Sequence, residues 1–138
     1  MKTFTKIVFL ALATLTISKA QADSSGTDAQ IVQALNSQQQ SRYVQGDGMV
    51  VTQVLPDDTV GLQHQKWIVR LSNGKTLLAV YNTDMCPRVP VQVGDIVSMG
   101  GMFIWTDQGG LIHWLHYDPR GNHPNGYVIL NGKSYCKN

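Results

Sequence analysis

The stretch Gly94-Asp95-Ile96-Val97-Ser98-Met99-Gly100-Gly101-Met102-Phe103-Ile104-Trp105 decides the fold. Its apolar residues alternate or run on continuously, as in a half-buried or buried strand. Two adjacent glycines interrupt it, and glycine inside a strand marks a bulge or a sharp bend. A sheet bent in mid-strand is one that curls on itself, which points to a barrel. On the N-terminal side, residues 49–55 and 65–71 read as two strands, separated by Pro56-Asp57-Asp58 and Gly61 as turn material. Ser72-Asn73-Gly74-Lys75 supplies an Asn-Gly hairpin turn, expected as type I′, and residues 76–81 return as a third strand. Residues 82–93 form a long connection whose Pro87 and Pro90 suit neither a central strand nor a helix. On the C-terminal side, Asp107-Gln108-Gly109-Gly110 turns into a fifth strand over residues 111–118, followed by a loop and a short last strand at 127–130. The expected class is all-β: a small, partly open, five- to six-stranded OB-like barrel with one N-terminal helix, since a sandwich usually needs about seven strands.

The helix is expected to start at Thr27-Asp28-Ala29-Gln30, which has the capping-box pattern, and to end near Gln40. Ile31, Ala34, Leu35 and Gln38 give it a narrow stripe for docking on the sheet. Ahead of it, Lys2 and Lys6, the apolar run 7–17 and Ala20-Gln21-Ala22 have the three parts of a secretory signal with an A-x-A cleavage site. That run is too short for a membrane span, which needs roughly 20 apolar residues, and no later run approaches that length. The expected organisation is a signal peptide at 1–22, a polar leader and helix at 23–44, and a barrel domain at 45–138. A periplasmic or secreted protein with no stable membrane span after cleavage follows.

Composition agrees with a turn-rich β domain: all nine acids are Asp, none is Glu, and the 13 glycines all lie beyond the signal. Lys2, Lys6 and Lys19 fall inside the signal, so cleavage converts the formal charge of +2 to a slightly negative one. That argues against strong non-specific binding to nucleic acid, which depends on many Lys and Arg contacts. Cys86 and Cys136 are the only cysteines, and in an oxidising compartment an even count suggests a bridge that ties down the C-terminus; two separate thiols are the alternative.

Chemistry concentrates late in the chain. His113, His116 and His123 lie close together with Asp118 between them. On a continuous strand, Trp114, His116 and Asp118 share one face and His113 lies on the other. The metal-ligating set is therefore His116, Asp118 and His123, with His64 as a further candidate, and the cofactor it would take is a divalent metal such as zinc. The alternative is a turn in which Asp118 caps backbone N–H groups and the histidines are hydrogen-bonded at a barrel rim. Asp84 and Arg88 in the long loop form either an ion pair or a phosphate site. Trp114, with Asp84 and Arg88, completes a candidate ligand-binding surface, while Trp67, Trp105 and Tyr81 are candidates for core filling. Asp57 and Asp58 read as turn caps.

Leu55-Pro56-Asp57-Asp58, Gly61, His64-Gln65, Pro87-Arg88-Val89-Pro90, Gly94-Asp95 and Gly109-Gly110-Leu111-Ile112-His113-Trp114 with His116, Asp118-Pro119 and His123 resemble the pattern of a bacterial family of short exported proteins catalogued as a domain of unknown function. The resemblance spans about residues 45–135. It implies export and a compact domain, and it implies no activity. The chain departs from the family's pattern at Tyr81 and Tyr117, where His is common, and at Cys86, where a small residue is, so no metal role carries over to the two tyrosines and a bridge belongs to this branch.

Three functional readings stand side by side. The first is an exported binding module with a His/Asp rim, taking a small ligand or an envelope partner. The second is a metal-dependent phosphodiesterase or nuclease in which His116 and Arg88 are the catalytic candidates. The third is a structural or partner-binding envelope protein with a satisfied polar rim.

Overall fold

The computed structural model describes residues 27–136, so the expected signal at 1–22 and the expected leader at 23–26 lie outside the described residues. One helix, α1 (Ala29–Asn36), precedes seven strands. They are β1 (Arg42–Leu55), β2 (His64–Arg70), β3 (Thr76–Asn82), β4 (Ile96–Thr106), β5 (Gly109–His113), β6 (Tyr127–Leu130) and β7 (Lys133–Tyr135). The hydrogen-bonded order is β1-β2-β3-β5-β4, and β4 pairs back onto β1, so five strands close into a barrel; β6 and β7 extend it from β4. All pairings are antiparallel except β3 with β5, which run parallel through Leu78↔Leu111 and Ala79↔Ile112. The closed barrel agrees with the all-β expectation, and β7 is a strand the sequence did not announce.

The barrel closes because β1 is long enough to serve two neighbours. Its first half pairs with β4 and its second half with β2. The sequence expectation began this strand only at Met49. In fact the strand passes through Gly46-Asp47-Gly48 with a register shift between Gly46 and Met49 and a positive φ of 70° at Gly48. The irregularity expected at Gly100-Gly101 therefore sits in β1: β4 keeps regular register there, with Gly101↔Val44 and Gly100↔Gln45. What the two glycines allow is close approach. A Cβ on Gly100 would strike the ring of Tyr127, and one on Gly101 would strike the carbonyl of His113 and the side chain of Leu115. At this point β4 exchanges β5, paired from Met102 to Thr106, for β6, paired from Val97 to Gly100.

Alternate residues of the strands fill the interior. Trp67, Tyr81, Phe103, Met49, Leu77, Met99 and Ile112 are fully buried, and Trp67 packs against Tyr81 with ring centroids 6.1 Å apart. α1 caps this core with Ile31, Ala34 and Leu35. Its start differs from the capping box: Thr27 donates its hydroxyl hydrogen to the Asp47 carbonyl, and the Gln30 side chain accepts from the Gln45 amide. Both side chains dock the helix on β1 instead of capping it, and the buried Asp28 accepts from the amide and hydroxyl of Ser72. The helix also ends at Asn36, short of the expected Gln40. In the hairpin between β2 and β3 only Gly74 has positive φ (81°), so the turn is not type I′; Asn73 accepts from the Lys75 amide instead.

The connection between β3 and β4 is pinned by two buried polar side chains. Tyr81 donates its hydroxyl hydrogen to the Pro87 carbonyl at 2.7 Å. Gln65 bonds both ways with Val89, donating to its carbonyl at 2.5 Å and accepting from its amide at 3.0 Å. Cys86 in this connection lies at disulfide distance from Cys136, with their Cα atoms 5.3 Å apart. Among the described residues no helix is long and apolar enough to cross a membrane.

Candidate functional site

The fifth strand was expected to run from residue 111 to 118, but it stops at His113. Trp114 takes a φ of +52°, in the left-handed region. Alternation fails there, because one residue in that conformation turns the chain out of the pleat. His113 and His116, expected on opposite faces, thereby come to line one pocket of about 270 Å³, together with His64, Asn82, Met85 and Trp114. The turn is held by Gly126, whose amide donates to the His116 carbonyl at 2.8 Å. A Cβ on Gly126 would collide with the Trp114 carbonyl and the His116 amide nitrogen.

Trp114 is 43 % exposed while Trp67 is fully buried. Two imidazoles lie near its indole: His123 stacks on it at 4.4 Å with an 18° tilt, and His113 lies 4.8 Å away. His116 meets His123 edge-on at 5.4 Å. Leu62, 62 % exposed, and Met85, 52 % exposed, stand at the same pocket, so three of the chain's exposed large apolar side chains converge on it.

Three imidazoles have their Nδ1 atoms fixed. Nδ1–H of His116 donates to the Tyr117 carbonyl at 2.8 Å and that of His123 to the Pro124 carbonyl at 2.9 Å. His64 Nδ1 donates to the Asp58 carboxylate at 3.0 Å, which also takes Lys66 Nζ at 2.6 Å. A carbonyl or carboxylate oxygen only accepts, so each of these rings carries a proton on Nδ1. Burial, followed by the neighbouring His123, His116 and His64, holds the pKa of His113 below the ordinary imidazole value.

Asp118 sits differently from the metal-ligand expectation. Its carboxylate accepts the backbone N–H groups of Arg120 at 2.9 Å, Asn122 at 2.6 Å and His123 at 3.0 Å, capping the turn, with His123 Nε2 at 3.7 Å. Burial alone would raise its pKa, but these three amides and His123 outweigh it and hold the carboxyl below its usual value. Among the described residues no three His, Cys, Asp or Glu side chains gather into a group that fits a metal ion. The turn-capping reading is the one the geometry matches.

Arg88 is not partnered by Asp84. Its guanidinium forms a bidentate pair with Asp57, at 2.5 and 3.2 Å, and this pairing lowers the pKa of Asp57. Asp84 accepts from the Gln63 amide at 2.9 Å and holds the loop between β1 and β2. Neither residue lines the histidine pocket. Asp57 and Asp58, expected as turn caps, instead hold side-chain cations and His64. Among the pocket residues left out of the sequence-based ligand set are His113 and Met85, with Leu62, Val80 and Asn82 beside them. The histidine's spacing to His116 was visible, but its face was assigned from an alternation that Trp114 breaks. Met85 carried no signal at all.

A larger concavity, an open groove of about 1030 Å³, lies between α1 and the outer face of β3 and β5. It is walled by Leu35, Ile68, Leu78, Trp105 and Leu111 and has no cluster of titratable groups. His64, His113 and His116 line the smaller pocket instead. No curated protein and no solved structure matches the chain. A family model does match residues 11–136, and the chain accordingly belongs to the family described as "Protein of unknown function (DUF3465)".

Proposed function

We propose that the protein is a small exported binding module whose ligand enters the histidine-lined pocket at the end of β2, β3 and β5. The observation that carries this reading is Trp114. A bulky residue in the left-handed region costs about 1–3 kcal/mol and persists only where surrounding structure enforces it, most often at ligand sites. Here the strain keeps a large apolar ring part-exposed at the mouth of a concave site instead of in the core. The imidazoles of His64, His113 and His116 give the site polar nitrogen groups, and Leu62 and Met85 give it an apolar rim. Export is supported by the signal-like N-terminus and by a cysteine pair at bridging distance.

The test is a titration of isotope-labelled mature protein with fragment-sized planar aromatics and small anions, followed by NMR. Shifts confined to the Trp114 indole and to His113 and His116, and lost in Trp114→Gly, are the expected result. Binding that maps to the groove under Trp105, or that survives Trp114→Gly unchanged, would overturn the reading.

A further inference from the structure

Resting on the pocket assignment just proposed, we infer that this pocket binds a soft monovalent d10 cation of the Cu(I) class, held by the imidazoles of His113 and His116 with the thioether of Met85. The lining side chains that carry a ligating nitrogen or sulfur are His64, His113, His116 and Met85; the Oδ1 of Asn82, which also lines the pocket, accepts from the Asp84 and Met85 amides, and no carboxylate or thiol lines it. The nearest acids are engaged elsewhere, Asp58 on His64 and Lys66 and Asp118 on three backbone amides. Thioether sulfur selects Cu(I) over harder divalent ions, whereas Zn²⁺ in proteins collects four donors among Cys, His and carboxylates. A set of two imidazoles and one thioether suits an ion that is content with two or three ligands.

The surroundings of the donors agree. Ligating imidazoles commonly give their second ring N–H to a carbonyl or carboxylate, which orients the ring and raises its basicity. His116 does so to the Tyr117 carbonyl, and His64, at the same pocket, does so to Asp58. Met85 is half-exposed, where an ordinary methionine would fill core space. Its loop is not loose: Tyr81 holds Pro87, Gln65 holds Val89, and Cys86 faces Cys136. The sulfur is thus kept at the pocket by its neighbours' bonds.

The experiment uses mature, exported protein with no titratable thiol, so that cysteines do not compete. Ag(I) serves as a redox-inert stand-in for Cu(I), with Zn(II) titrated separately, and binding is read by calorimetry and by the Met85 methyl resonance. One Ag(I) per chain, a shift of the Met85 methyl, and a loss of more than roughly tenfold in affinity in Met85→Leu and in His113→Gln are expected. Circular dichroism of both variants verifies that they fold. The inference is overturned if Ag(I) does not bind, or binds Met85→Leu as tightly as the parent, or if Zn(II) binds the pocket more tightly than Ag(I). Should Ag(I) fail while aromatic or anionic fragments still shift Trp114, the cation assignment falls and the pocket stands. Should neither perturb the pocket, both fall.

Discussion

Trp114 is the residue on which the site turns, and its backbone conformation separates structural from ligand-binding roles. Glycine adopts φ near +50° freely, whereas alanine keeps the Cβ that makes this region unfavourable. Trp114→Gly is therefore expected to be more stable than Trp114→Ala by about 1 kcal/mol, although both lose the same indole. Chemical denaturation of the two variants measures this; equal stabilities would mean that the segment relaxes out of the left-handed region once the ring is gone. The indole also gives an optical handle. Trp67 is enclosed and Trp114 is half in water, so ligand quenching of fluorescence should vanish in Trp114→Phe and persist in Trp67→Phe. Arg88, outside the pocket, illustrates how little side-chain pairing is local. Arg88 was readable as a phosphate ligand or as a partner of nearby Asp84, yet it bonds Asp57 on another loop. Nothing in the spacing of these residues reveals that pairing, because it depends on how two connections meet above the barrel.

At the scale of elements, what was legible followed from period and punctuation. β2, β3 and β6 lie close to where alternating runs and turn residues placed them, because each carries a full apolar face between strong breakers. β1 was legible only in its second half. Its first half shows no alternation across Gly46 and Gly48, where the register shifts as the strand pairs with β4, and a Cβ on Gly46 would meet Ile31 of α1. β5 was overextended for the opposite reason: residues 114–118 alternate well, and the interruption at Trp114 comes from contact with residue 126, not from any breaker of its own. Gly126→Ala tests that account. The added methyl has backbone on several sides, so the 114–116 segment or the β4–β6 junction has to shift, and a loss of about 1–3 kcal/mol is expected, the range of overpacked cores. Hydrogen exchange should show the loss of protection at the Gly126 and Tyr117 amides, which bond to His116 and Cys136, ahead of β2 and β3. Uniform loss across the barrel would mean that the segment is not a separate unit.

The stability of the whole molecule against pH records how its titratable groups are held. On the acid side, Asp57, Asp58 and Asp118 have pKa values below the carboxylate norm, the first two mainly through Arg88 and through Lys66 and His64, the third through backbone amides that outweigh burial. A depressed folded pKa contributes stability above the unfolded value near ~3.9, lost as pH falls through the folded values. On the alkaline side, burial followed by the nearby Tyr135 pushes Tyr81 up to about 12. The sign is reversed there: between the unfolded value near ~10 and about 12 the unfolded chain sheds a proton that folded Tyr81 retains, so stability falls as pH rises through that window. The loss should approach about 2 kcal/mol by the upper end. Tyr81 is fully buried, packs on Trp67 and holds the Pro87 carbonyl beside Cys86, so its ionisation would release the connection that carries Met85. Tyr81→Phe separates these effects. At neutral pH it should cost about 1 kcal/mol for the hydrogen bond to Pro87, and above pH ~10 its denaturation midpoint should decline less steeply than that of the parent protein. The residual slope belongs to Tyr127, whose pKa is also raised by burial, then by Asp47 and Tyr43. Midpoints that fall in parallel for parent and variant would show that the alkaline limit lies elsewhere in the barrel.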